Sequence, residues 1–173
     1  MLILGVDPGI RHTGIALLRD GKVIYRDTLV PPQKDKLPYY HIIPFVLEKI
    51  TNVLKKEDVE AAAVEEVAWY GRNRRVTLPL SHMAGSIIGL LLTNDIPVYV
   101  LSPTMKKSVK VKGGFNSSWD EHQKDAALLA QVAANTEGAS VVEKSSTRSP
   151  LYRAARRKIT AGQIVHWKRT KSA

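Results

Sequence analysis

The hydrophobic positions of this chain change period along its length. Leu2 to Val6 is an unbroken apolar run, as in a strand buried on both faces, and it stops at Asp7 before a Pro8–Gly9 turn. Thr13 to Leu18 is a second such run. Lys22 to Leu29 alternates after the Asp20–Gly21 turn, so three strands in an antiparallel meander are expected. From Tyr39 to Leu54 the residues Ile42, Ile43, Val46, Leu47, Ile50, Val53 and Leu54 recur at helical spacing, with Pro44 predicting a kink or a late start. Ala61 to Val67 reads as a short buried strand carrying Glu65 and Glu66. A basic loop (71–75) and a helix from Leu78 to Thr93 with Pro79 in its first turn follow. Ile96 to Leu101 is a fifth strand. Ser102–Pro103 opens a short helix to about Val109, and a loop spans Lys110 to Ser117. Ser118-Trp119-Asp120-Glu121 reads as a capping box for a helix from Trp119 to about Ala134. A loop at 137–148 and a last helix from Ser149–Pro150, interrupted at Gly162, complete the chain.

Three meander strands followed by alternating helices and strands predict an α/β protein. Its mixed five-stranded sheet joins the antiparallel three-strand meander to two parallel strands, with helices on both faces. One domain is expected over residues 1–136, with 137–173 as a basic C-terminal extension packed on it or trailing from it. From Arg148 onward that extension has eight Lys or Arg and no Asp or Glu.

The 173 residues carry 26 basic and 16 acidic side chains, a net charge of +10, which points to a polyanionic partner such as nucleic acid. Absence of cysteine excludes disulfides and thiolate metal sites and fits an intracellular, cytoplasmic protein. No apolar run approaches the roughly 20 residues needed to cross a bilayer, so no membrane partner is expected.

Asp7 is a carboxylate at the end of a buried strand, where a charge usually meets a cation. As a bare D-P-G it would more often be a turn residue. Glu65 or Glu66 leaves the fourth strand, and alternation sends one of the two to solvent. His122 and Asp125, three apart on one helix, share a face. Asp7, a glutamate of that pair, His122 and Asp125 would together offer hard oxygen ligands for Mg²⁺ or Mn²⁺, with an imidazole as further ligand or base. Two such ions can activate water and stabilise a leaving oxygen of a phosphodiester.

The motifs in this order resemble those of RuvC-type Holliday-junction resolvases, of the ribonuclease H-like superfamily. Gly5-Val-Asp-Pro-Gly9 with Thr13–Gly14 is similar to their opening motif, and Ala63-Val-Glu65-Glu-Val67 to the strand ending in the catalytic Glu. Leu101-Ser-Pro-Thr-Met-Lys-Lys107 is similar to the segment after the fifth strand, and His122-Gln-Lys-Asp125-Ala-Ala to the final motif. The likeness covers roughly residues 1 to 135. It implies a ribonuclease H-like fold and selects Glu65 over Glu66. It also implies a homodimer on four-way junction DNA, two Mg²⁺ or Mn²⁺ per active site, and paired symmetric nicks leaving 5′-phosphates. A lysine assisting catalysis is implied as well, for which Lys110 or Lys112 is favoured here, and a dimer interface on the helix carrying Gly85 and Gly89. Three features depart from the family: a short stretch before His122, Ala68 where an aromatic residue is expected, and the basic tail. They fit a divergent member and are compatible with a phage gene acting in a bacterial host.

Trp69 and Tyr70 interleave with Arg72, Arg74 and Arg75, offering stacking faces and phosphate contacts together. Lys106, Lys107, Lys110 and Lys112 form a second basic cluster, and Arg153, Arg156 and Arg157 a third on the last expected helix. Other readings are cleavage of RNA–DNA hybrid or RNA by a related fold, and junction binding without catalysis. An actin-like ATPase or sugar kinase would need a second lobe and phosphate loop.

Overall fold

The computed structural model describes residues 1–32, 37–67 and 74–137. Five strands form one sheet: β1 (Leu2–Asp7), β2 (Thr13–Arg19), β3 (Lys22–Leu29), β4 (Ala61–Glu65) and β5 (Val98–Leu101), in the order β3-β2-β1-β4-β5. β1, β2 and β3 pair antiparallel, while β4 runs parallel to β1 and β5 parallel to β4. The expected meander and mixed sheet are both present.

The helices divide by face. α1 (Tyr39–Leu54) and α2 (Arg74–Thr93) cover one face through Ile42, Val46, Ile50, Met83, Ile87 and Leu91, packed on Leu2, Leu4, Val6, Ala62 and Val64. α3 (Glu121–Glu137) covers the other, where Ala126, Leu129, Ala130 and Ala133 meet Ile3, Ala61 and Ala63. The period of two along a strand then assigns the remaining residues. Gly5 and Asp7 follow Ile3 onto the α3 face, and Glu65 follows Ala61 and Ala63 there. Glu66 has the opposite parity and is exposed.

Several local expectations are corrected. α1 begins at Tyr39 and runs through Pro44, whose ring lies on the exposed side, so the start is not delayed. α2 begins at Arg74, four residues before the expected Leu78, and Pro79 is therefore its sixth residue rather than part of a first turn. The fifth strand begins at Val98, since Pro97 offers no N–H to a ladder. The segment after β5 is a 3₁₀ helix (Pro103–Ser108), and Ser102 makes no side-chain cap bond. α3 starts at Glu121 because Asp120, not Ser118, is its cap: Asp120 Oδ1 accepts from the Gln123 amide at 2.9 Å. Ser118 instead donates to Asn116 Oδ1 at 2.6 Å. The loop and helix expected beyond residue 137, Trp69, Tyr70 and Arg72 lie outside the described residues, as does the side chain of Arg74.

Candidate active site

Asp7 and Glu65 end neighbouring parallel strands. The register pairs Val6 with Val64, so the next residues, Asp7 and Glu65, leave the sheet side by side at the carboxyl edge of β1 and β4. The third and fourth groups arrive on α3, and two glycines let that helix approach closely. A Cβ on Gly5 would stand 1.9 Å from the Ala126 carbonyl oxygen, and one on Gly14 would stand 2.1 Å from that of His122. Any larger residue at either position would lift the helix that carries His122 and Asp125. The turn below the site is fixed by Thr13, fully buried, whose hydroxyl donates to the Gly9 carbonyl at 2.7 Å.

The four sequence-predicted groups meet. Carboxylate oxygens of Asp7, Glu65 and Asp125 all lie within 4.8 Å of one another. His122 Nδ1 is 2.8 Å from Asp7 Oδ2, and the His122 ring stacks on His12 at 5.5 Å between centroids. Three half-buried carboxylates at such spacing suit a hard divalent cation, because each carboxylate can turn an oxygen toward a shared centre. Asp7 feels the site most. Burial is the chief reason its carboxyl is raised from 3.8 to about 6. The His122 hydrogen bond and the charge of Lys106 act the other way, and the charges of Glu65 and Asp125 reinforce the rise.

The sequence put Lys106 in the second basic cluster but favoured Lys110 or Lys112 as the lysine that assists catalysis, yet it is the Lys106 ammonium that sits beside the carboxylates. Nζ donates to Glu65 Oε2 at 2.5 Å and also to Asp125 Oδ2, with the side chain 12% exposed. Burial alone would lower this lysine, but the hydrogen bonds and charges of Asp125 and Glu65 outweigh it, and its net shift is upward. The usable signal was register: Glu65 pairs with Leu101 at the end of β5, and Lys106 follows within two turns of 3₁₀ helix. Lys110 and Lys112, favoured from the sequence, are exposed in the following loop, and no described contact joins them to the carboxylates. Lys107 and Arg75 are also exposed.

The family model described as crossover junction endodeoxyribonuclease RuvC matches residues 3–124. Among curated proteins, the chain is 30% identical over 121 residues to the crossover junction endodeoxyribonuclease RuvC of Ehrlichia chaffeensis, covering 65% of this chain and 73% of that one. It is 29% identical over 118 residues to the protein of that name from Syntrophomonas wolfei, covering 66% and 67%. Among solved structures, T. thermophilus RuvC in complex with Holliday junction substrate aligns with a TM-score of 0.70 at 20% identity, covering 80% of this chain and 95% of that one. That likeness supports the ribonuclease H-like fold.

Proposed function

The chain belongs to the RuvC family of crossover junction endodeoxyribonucleases, and from that premise we propose how its residues resolve a four-way DNA junction. The observation that carries the reading is that Asp7 and Glu65, which end adjacent strands inside the family match, converge with Asp125 of α3 within 4.8 Å. The alternatives of hybrid cleavage and of junction binding without catalysis have no comparable support.

The donor set fits Mg²⁺ or Mn²⁺, with Asp7, Glu65, Asp125 and His122 as the groups that would hold them. When bound, two such ions lower the pKa of a water and stabilise charge on the leaving 3′ oxygen. The chain's own residues do the rest. Asp7 must be ionised to serve as a ligand, and its hydrogen bond to His122 favours that form. Nδ1 of His122 is committed to Asp7, which leaves Nε2 as the atom able to act as ligand or to take a proton from water. Lys106 supplies a positive charge beside the scissile phosphate once it lets go of the carboxylates. Hydrolysis leaves a 5′-phosphate and a 3′-hydroxyl.

Paired, symmetric nicks need two such sites, and we assign the second to a homodimer formed through α2. Over Arg75–Thr93 its mean hydropathy is 1.5, long and apolar enough by composition to cross a membrane, yet only 22% of that stretch is buried. Val76 and Leu78 are 53% and 54% exposed, and a Cβ on Gly85 or Gly89 would meet nothing within 4 Å. A two-fold pairing of this helix buries that surface. Trp69, Tyr70, Arg72, Arg74, Arg75, Lys107, Lys110, Lys112, Arg153, Arg156 and Arg157 are the proposed DNA contacts.

The test is a junction with each strand labelled in turn, incubated with protein and Mg²⁺ or Mn²⁺. Matched nicks on opposing strands, abolished by Asp7→Asn, are expected. Undiminished nicking by Asp7→Asn, or preference for an RNA–DNA hybrid over the junction, overturns the assignment.

A further inference from the structure

The loop between the 3₁₀ helix and α3 is anchored at both ends and open in the middle. Val111 is buried in the α3-side core, and Trp119 packs against the same cluster. Between them the chain turns out through Gly113 and Gly114, at φ +91° and +66°, where an added Cβ would meet nothing within 4 Å. Phe115 stands at the tip side of that turn, 36% exposed. Its ring contacts Trp119 at 5.0 Å between centroids with a 55° tilt.

Below Phe115 lies a pedestal. The Arg26 guanidinium sits 4.2 Å from the Trp119 ring centre, and it donates to Gln123 Oε1 at 3.0 Å and Ser118 Oγ at 2.9 Å. Asn116 accepts from the Ser118 amide at 3.0 Å, and Thr28 Oγ1 donates to Asp120 Oδ2 at 2.5 Å. Strand β3, the loop and the start of α3 are thereby locked together, three residues from His122. Phe115 belongs to neither core cluster, and its described ring contact is with Trp119. The exposed charges preceding it are basic: Lys107, Lys110 and Lys112. The acid nearest in sequence, Asp120, is engaged by Thr28 and the Gln123 amide.

An aromatic face beside lysines is the chemistry that receives an unpaired nucleic-acid base, with stacking on the ring and phosphates on the ammonium groups. We propose that Phe115, on its Trp119–Arg26 pedestal, is a base-stacking platform for a DNA strand, with Lys110 and Lys112 preceding it in the same loop. The proposal rests on the nuclease reading above.

The experiment measures binding of the full chain to a labelled four-way junction in Ca²⁺, with 2-aminopurine placed at successive positions near the crossover. Phe115→Ala and Phe115→Leu are each expected to weaken binding about ten-fold and to abolish the 2-aminopurine quench at one position. Phe115→Trp restores both. The salt dependence of binding stays unchanged in these variants, whereas Lys112→Ala lowers its slope by about 0.7 to 0.9. Wild-type affinity and quench in Phe115→Ala overturn the platform while wild-type cleavage of the junction leaves the nuclease reading intact. Loss in all three variants together with a fallen melting temperature makes Phe115 structural and also overturns it. Failure of the wild-type chain to bind or cut any junction overturns the reading underneath.

Discussion

Replacing Lys106 by methionine removes the ammonium that Glu65 and Asp125 share and keeps the packing of the stem. Two unit charges 4 Å apart attract by about 4 kcal/mol at an effective dielectric of 20. Taking the three groups out of water gives back several kcal/mol, more so because Lys106 is 12% and Glu65 18% exposed. A net contribution of about 2 kcal/mol to the metal-free fold is therefore the working figure. For a chain of this size it corresponds to a drop of roughly 4–8 °C in melting temperature in EDTA. A cation using the same oxygens must first break both ion pairs. Lys106→Met is thus expected to bind Mg²⁺ or Mn²⁺ about 30-fold more tightly, and its melting temperature should approach that of the wild type when metal saturates. Junction cleavage moves the other way, falling by about 10²–10³ as the charge beside the phosphate is lost. Calorimetric titration with Mn²⁺ and melting in EDTA read the first two effects, and single-turnover cleavage reads the third. Metal affinity that is equal or weaker in Lys106→Met refutes the idea that lysine and metal compete for one set of oxygens.

Asp7 gives a pH signature. Its folded carboxyl titrates near 6 rather than 3.8, so the metal-free fold binds its proton more tightly than the unfolded chain does. This contribution to stability is full below about 3.8 and is lost as pH rises through 6, at most about 3 kcal/mol. Asp7→Asn should melt higher than wild type in EDTA at pH 7.5, with the gap closing toward pH 4; an equal gap at both pH values contradicts it. Gly14→Ala should cost about 1–3 kcal/mol and reduce metal affinity, because the new Cβ meets the His122 carbonyl; an unchanged thermal midpoint argues against the close seat. Gly85→Ala should instead gain up to about 1 kcal/mol of helix stability in the monomer while shifting the proposed dimer toward monomer in sedimentation; an association state unaffected by it and by Leu78→Asp contradicts pairing through α2.

Much of this site was legible because strand and helix periodicities are local properties. The apolar run ending at Asp7, the run ending at Glu65 and the i, i+3 spacing of His122 and Asp125 each follow from a few neighbours. Parity even decides between Glu65 and Glu66 once one knows which sheet face α3 covers. What escaped depends on distances between elements. Gly5 and Gly14 read as motif glycines, but their role as the seat of α3 exists only when the helix lies on them. Trp119 looked like the first residue of a helix. It instead joins a pedestal with Arg26, 93 positions away, and the cap passes to Asp120. Lys106 was the hardest to place, since a four-carbon stem reaches many positions and composition does not distinguish it from Lys110 or Lys112.

The placement of Lys106 explains how such a site can fold before any metal arrives. Asp7, Glu65 and Asp125 at this spacing repel one another, and burial, reinforced by the charges of Glu65 and Asp125, raises Asp7 to about 6. One shared ammonium offsets the charges of Glu65 and Asp125, and His122 is hydrogen-bonded to Asp7. Asp7 is thus paired with a group that could stay beside a bound ion, whereas the other two are paired with one that would have to move away. If the site takes a divalent ion as proposed, Asp7 and His122 would hold it without giving up an ion pair, whereas Glu65 and Asp125 would have to release Lys106. Lys106→Met should then abolish any lag between metal addition and cleavage competence that the wild type shows. His122→Ala should lengthen that lag, and a lag of equal length in all three proteins contradicts this reading.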